Sequence, residues 1–272
     1  MKKVYIYTIL LLLLFLIQSC RTYRQLWYTN PLNAASQPYV AMPTFKDSSK
    51  SATYANINFY KGSANDYGSD EVNLFSLGIY RTKKINMFQL YYGGNFFIGN
   101  YVLHPLESDD MNYFQYKKIE YGNIYKTFSA AGVMGGINYT VQGKNSEWRV
   151  LGFEFTINKE FGNYLNFRES LSDSSTTLLI KNSGYTTLGL NTEVISYLRK
   201  GSLGMKFSYG YIIEKEYIKP KVYDIHNGNQ RQSFNYLTLA ISYTNKKYTG
   251  YIQSDFGIKA SGTKVGFVYR LW

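Results

Sequence analysis

The chain has 272 residues, of which 45% are hydrophobic, 18% aromatic and 18% charged, with 29 Tyr and 17 Phe but only 3 Trp. So few charges among so many aromatics exclude a disordered chain or a coiled coil, and a mean hydropathy of −0.29 excludes a bundle of membrane-spanning helices. The net charge of +12 comes from basic residues scattered without a nucleic-acid-binding pattern, a single Cys excludes an internal disulfide and a cysteine metal site, and 2 His leave little for acid–base chemistry.

Lys2 and Lys3 precede a nearly unbroken apolar run over residues 4–17. That length is short for a bilayer span and right for the apolar core of an export signal. The run ends in Ile17-Gln18-Ser19-Cys20, which resembles a bacterial lipoprotein lipobox: an aliphatic residue three places before the Cys and a small one just before it. This resemblance implies that residues 1–19 are a signal peptide and that Cys20 becomes the acylated first residue of the mature chain. Arg21-Thr22-Tyr23-Arg24 follows, without the acidic run that resembles a surface-export tag in Bacteroidota. The expectation is therefore an anchor facing the periplasm.

Residues 20–50 show no period and contain Asn30-Pro31, Gln37-Pro38 and Met42-Pro43, which reads as a lipidated, extended tether. Over residues 51–272 the pattern becomes alternation with period two, which gives a strand one apolar and one polar face. Ten such segments occur: 53–60, 72–81, 86–98, 128–141, 148–158, 185–197, 202–213, 235–244, 248–258 and 263–271. In the first, Ala55, Ile57 and Phe59 alternate with Tyr54, Asn56, Asn58 and Tyr60; in the fifth, Leu151, Phe153, Phe155 and Ile157 alternate with Gly152, Glu154, Thr156 and Asn158. A tilted strand needs about ten residues to cross a bilayer. Residues 105–120 and 160–173 depart from the pattern and leave room for short helices.

The spacers alternate too. Those after the second, fourth, sixth and eighth segments are short and basic, beginning at Arg81-Thr82-Lys83-Lys84, Gln142, Arg199 and Asn245, whereas those near 61–71, 99–127, 159–184 and 214–234 are longer. Tight periplasmic turns and long outer loops are the habit of an outer-membrane barrel. The expected fold is all-β: an antiparallel up-and-down transmembrane β-barrel of about ten strands, within a range of eight to twelve. An even count puts both barrel ends on the periplasmic side, where the tether is expected. The competing fold is a soluble β-sandwich, which would bury the apolar faces instead. Tyr60, Tyr80, Tyr92, Tyr197, Tyr211, Tyr243, Tyr248 and Tyr269 suit interfacial aromatic belts. The polar faces put Glu154, Glu193 and Asp255 inside with Lys206, Lys264 and Arg270, as ion pairs of a lumen filled by side chains. The final strand, ending in Trp272, resembles the C-terminal insertion signal of bacterial barrels.

Little chemistry stands out. His104 lies near Ser108, Asp109 and Asp110, and His226 near Asp224, each in a long loop and neither in a recognised catalytic pattern. Gly93-Gly94 and Gly135-Gly136 sit within strands and read as points of close strand approach rather than phosphate loops. Asn138 heads a glycosylation-type triplet but falls in a strand. The expectation is no catalytic residue, no enzyme, no metal and no cofactor.

The layout of lipobox Cys20, Pro-containing tether with Pro43-Thr44-Phe45, and barrel is similar to lipid-anchored outer-membrane barrels of Bacteroidota. That resemblance implies an accessory or structural subunit of a larger outer-membrane complex, one candidate being the barrel assembly machinery. Its expected partners are outer-membrane lipid, other outer-membrane barrels and periplasmic lipoproteins, with no nucleic acid. The other readings are a small-solute or lipid-handling pore and a loop-based enzyme acting on lipid A or phospholipid.

Overall fold

The computed structural model describes residues 27–32, 37–44, 49–64, 70–104, 124–171, 178–214, 234–257 and 260–272. Ten long strands carry the chain: β2 (Ser51–Ala64), β3 (Asp70–Ile85), β4 (Phe88–Leu103), β5 (Ile124–Gln142), β6 (Ser146–Phe161), β8 (Gly184–Leu198), β9 (Gly201–Glu214), β10 (Phe234–Asn245), β11 (Tyr248–Gly257) and β12 (Ala260–Arg270). Each pairs antiparallel with its neighbours in sequence, and β12 pairs with β2 to close the barrel. Closure leaves no edge strand, which is what a sheet in lipid requires. Several strands are longer than expected: β5 has 19 residues and β3, β4 and β6 have 16 each. They extend beyond the ten or so residues a bilayer needs.

One rim carries tight turns and the other the long connections. The first tight turn is Asn86-Met87, with Asn86 at φ 53°, so Arg81-Thr82-Lys83-Lys84 belongs to β3 and not to the turn. Asn tolerates the left-handed backbone that a two-residue hairpin demands.

The alternating faces are sorted as in a membrane protein. Ile57, Phe59, Leu77, Ile79, Phe96, Ile98, Leu151, Phe153, Leu190, Met205, Ile241 and Val265 face outward and exposed, while Asn56, Asn58, Glu154, Thr156, Glu193, Asp255 and Lys264 are buried inside. A soluble sandwich has the opposite sorting. Tyr92, Tyr211, Tyr243 and Tyr248 lie outside as expected of belt residues, but Tyr60 and Tyr80 do not: each is 3% exposed or less and faces the lumen. Their parity decides it, since Tyr60 shares the face of Asn56 and Asn58.

Of the segment expected to be a periplasmic tether, residues 28–32 and 37–41 are inside the barrel. Leu32, Gln37, Tyr39, Val40 and Ala41 are buried. Tyr28 and Leu32 join the apolar cluster with Tyr60, Phe97, Tyr101 and Ile212, whereas Tyr39, Val40 and Ala41 join one with Tyr54, Tyr80, Tyr91 and Val268. At the loop-side mouth, strand β1 (Trp27–Tyr28) pairs parallel with β7 (Leu178–Leu179). Helix α1 (Asn163–Ser170) lies in the same mouth, within the stretch 160–173 where a helix is expected. The expected exception at 105–120 lies outside the described residues, as do residues 1–19, Cys20 and Phe45.

Buried tyrosines occupy space left by glycines on the wall. A Cβ on Gly262 would lie 2.5 Å from Tyr60 Cζ and 2.6 Å from Gly62 Cα, whereas one on Gly250 meets nothing within 4 Å. Gly262→Val is expected to destabilise the barrel by about 1–3 kcal/mol through overpacking. The readout is the temperature at which the compact gel band converts to the unfolded one; Gly250→Ala should leave it unchanged.

Candidate functional site

The lumen is where the polar side chains converge. Lys206 Nζ donates to Glu154 Oε2 at 2.6 Å, and Asn191 Nδ2 donates to the same oxygen at 3.1 Å. Lys264 Nζ lies 3.6 Å from Asp255 Oδ2, and Gln253 Nε2 donates to Asp255 Oδ1 at 2.7 Å. Glu193 is held by Arg149, whose Nε lies 3.3 Å from Glu147 Oε1, and it also accepts from Tyr39 Oη at 2.6 Å. Arg270 sits half-buried at the turn-side mouth and donates to Ser49 Oγ. The structure therefore brings Glu154 to Lys206 and Asp255 to Lys264, while the main cationic partner of Glu193 is Arg149.

Arg149 and Glu147 escape a simple period-two reading. By parity they share the face of Leu151 and Phe153, which is exposed, yet both are buried. The register between β5 and β6 shifts between Tyr139 and Thr140, and that between β6 and β8 between Arg149 and Gly152. One extra residue there turns the strand's faces over. Thr192 Oγ1 donates to the Arg149 carbonyl at 3.1 Å and occupies the irregular stretch. The sequence signal was available: two charged residues on a face that must otherwise meet lipid.

The inserted chain has no ladder partner for most of its length, so the wall supplies donors. The Gln37 carbonyl accepts from both Gln253 Nε2 and Lys264 Nζ at 2.9 Å. The Ala41 carbonyl accepts from Tyr80 Oη at 3.1 Å, that of Pro43 from Gln89 Nε2 at 3.0 Å and that of Thr44 from Lys84 Nζ at 2.9 Å. The Gln37 side chain donates to Thr187 Oγ1 at 2.6 Å. Buried carbonyls without such partners would be costly. A signal for this burial also exists: residues 25–45 contain no Asp, Glu, Lys or Arg and hold three of the chain's 5 prolines. A cleft of about 270 Å³ remains at the turn-side mouth, lined by Met42, Pro43, Thr44, Tyr54, Tyr197 and Arg270 among others.

At the loop side, the Glu160 carboxylate is the joint. It receives Arg168 from α1 and Asn30 Nδ2 from the inserted chain at 2.7 Å. Arg168 also donates to the Ile180 carbonyl at 2.9 Å, and its guanidinium lies over the Tyr164 ring. Tyr164 stacks on Tyr101 with centroids 4.0 Å apart. Burial pushes the Tyr164 phenol well above its ordinary pKa of 10, so it stays neutral at physiological pH.

Of the candidate catalytic groups, His104 is half-buried beside Asp70, which accepts from its backbone N–H at 3.0 Å. Ser108, Asp109, Asp110, Asp224 and His226 lie outside the described residues. Among the described residues, no cluster of three or more His, Cys, Asp or Glu has a metal-binding arrangement. Asn138 is buried in the lumen, 3.6 Å from Met42 Sδ.

A closed ten-stranded antiparallel wall with an apolar exterior and a polar, ion-paired interior defines an outer-membrane β-barrel. No family model matches the chain, and no curated protein matches it. Solved structures similar to it are outer-membrane barrels. Neisserial surface protein A is 12% identical, with a TM-score of 0.33, over 82% of this chain and 98% of that one. The β domain of the Bordetella autotransporter BrkA is 8% identical, with a TM-score of 0.40, over 81% and 99%. The outer-membrane protease OmpT of Escherichia coli is 9% identical, with a TM-score of 0.36, over 81% and 94%. These likenesses concern the fold alone. They correct one expectation, that the chain is not an enzyme: a protease is among the similar barrels, so the architecture is no ground for excluding catalysis.

The buried and exposed ion pairs should separate sharply on mutation. Arg149→Met strands Glu193 and Glu147 in the lumen and is expected to cost roughly 3–5 kcal/mol. Lys61→Ala removes an exposed 3.6 Å pair with Glu71 and should cost about 1 kcal/mol or less. Urea unfolding in lipid vesicles, followed by tryptophan fluorescence, measures both.

Proposed function

We propose that this outer-membrane barrel is a structural, accessory subunit of a larger outer-membrane assembly, acting in protein assembly, secretion or uptake, and that it is lipid-anchored at Cys20. The observation that carries the reading is the lumen, which is occupied by the chain's own residues 27–32 and 37–44, held by wall side chains from one mouth to the other. A barrel filled in this way is poorly suited to conduct solute, which leaves its outer wall, its loops and its turn-side rim as working surfaces. That rim carries the exposed cations Lys83, Lys200, Lys246 and Lys247, which suit anionic head groups or an acidic protein surface. Other outer-membrane barrels and periplasmic lipoproteins are the partners of this reading, and the barrel assembly machinery of Bacteroidota is the assembly that the lipobox, tether and barrel layout suggests.

Affinity purification of the tagged protein from native outer membrane in mild detergent tests this reading. Stoichiometric recovery of a second barrel together with lipoproteins is expected; recovery as a lone monomer would overturn it. In planar bilayers the whole protein should be silent, and a variant lacking residues 27–44 should show conductance steps. Channels formed by the whole protein would remove the observation on which the reading rests.

A further inference from the structure

The inserted chain has a direction. Asn30 bonds Glu160, next to the loop-side end of β6. Gln37 bonds Thr187, three residues from the loop-side start of β8. Tyr39 bonds Ser242, three residues from the turn-side end of β10. The Thr44 carbonyl meets Lys84 beside the Asn86-Met87 turn, where Lys84 N also donates to the Lys50 carbonyl at 2.7 Å. The chain thus descends from the loop-side mouth to the turn side and enters β2 there. Its upstream end, Trp27, is fastened at the loop-side mouth by pairing with Leu178.

We propose that the chain upstream of Trp27 leaves the barrel at the loop side, so that Cys20 lies at the outer surface of the outer membrane. The acyl group, which rests on the lipid-anchor reading above, then enters the outer leaflet, across the membrane from Trp272. This replaces the expected periplasmic anchor, whose basis was the absence of an acidic run after Cys20.

Connectivity and solvation carry the argument. Six residues lie between Cys20 and Trp27, and the seven fully extended steps from one to the other reach at most about 25 Å. The way back through the lumen is taken by residues 27–32 and 37–44 themselves. The wall offers no gap, since each strand is paired on both sides. A path down the outside would lay unpaired backbone, Arg21 and Arg24 in hydrocarbon, which neither tolerates. At the outer surface both Arg side chains can stay in water beside anionic head groups. The threading also sets an order of assembly. β2 follows directly from the inserted chain, so that chain must lie inside before β12 pairs with β2, because an acylated end does not pass through a filled lumen.

The test uses Tyr23→Cys and Gln25→Cys in the full chain, in intact cells, with a membrane-impermeant maleimide. Tyr125→Cys, exposed at the loop end of β5, is the outside control, and Lys247→Cys, on a tight turn, the periplasmic one. Folding of each variant is checked by its heat-dependent gel mobility. Labelling at position 23 or 25 in intact cells, matching Tyr125→Cys, is expected. Labelling at neither while Tyr125→Cys reacts, or at both only after the outer membrane is opened as for Lys247→Cys, overturns the proposal. Incorporation of radiolabelled palmitate that is lost in Cys20→Ser is read separately. Its absence alongside surface labelling rejects the lipid anchor and supports the outer exit of the chain.

Discussion

Ten antiparallel strands close on a lumen wider than their own side chains fill, and most of this structure follows from that. An eight-stranded barrel is about as narrow as its inward side chains allow, and each added strand widens it. The ring here therefore needs something more than Glu154, Lys206, Asp255 and Lys264 to occupy its axis. It takes one extended segment of its own chain. That segment brings Leu32, Tyr39 and Val40 to the axis, where they pack against Tyr60, Tyr80 and Tyr251 on the wall, so two apolar clusters form inside a polar lining.

The charge distribution answers to the same insertion. An extended, proline-bearing chain brings carbonyls without ladder partners, and the wall meets them with Lys84, Gln89, Lys264 and Tyr80 as donors. The cations then need anions, which Asp255 and its neighbours supply. Lys264 illustrates the coupling: it donates to the Gln37 carbonyl and faces Asp255, so one ammonium group ties the plug to the wall. Buried ions seldom add stability beyond a well-packed apolar alternative. Here they fix the register of a segment that no sheet pairing would otherwise hold.

At the loop-side mouth the insertion also orders the rim. Glu160 ties Asn30 to Arg168, and β7 exists as a strand only because β1 lies beside it. A loop of this length would otherwise be held by its two ends. The outer face presented to solvent is therefore part of the same packed unit as the lumen, which links any partner that touches α1 to the N-terminal chain beneath it.

Much of this was legible in the residues. Ten runs of alternation, of near-uniform length and separated by spacers of alternating size, point to about ten strands with one apolar and one polar face, and the demand for paired backbone in lipid then favours closure over a soluble sandwich. The inward positions of Glu154, Glu193, Lys206, Asp255 and Lys264 follow from parity alone. Three things needed the tertiary structure. Arg149 and Glu147 turn inward because a register irregularity inverts β6; their charge on a lipid-side parity signals a break, but the place of the inserted residue is set by pairing with β5 and β8. Arg149 becomes the main cationic partner of Glu193, although Lys206 stands opposite Glu193 in the ladder, because the Lys206 ammonium reaches Glu154 instead. The path of residues 27–32 and 37–44 was invisible as a path: an uncharged, Pro-rich stretch signals burial, but a segment without period pairs with nothing in particular, and its place is set by the width of the ring that closes around it.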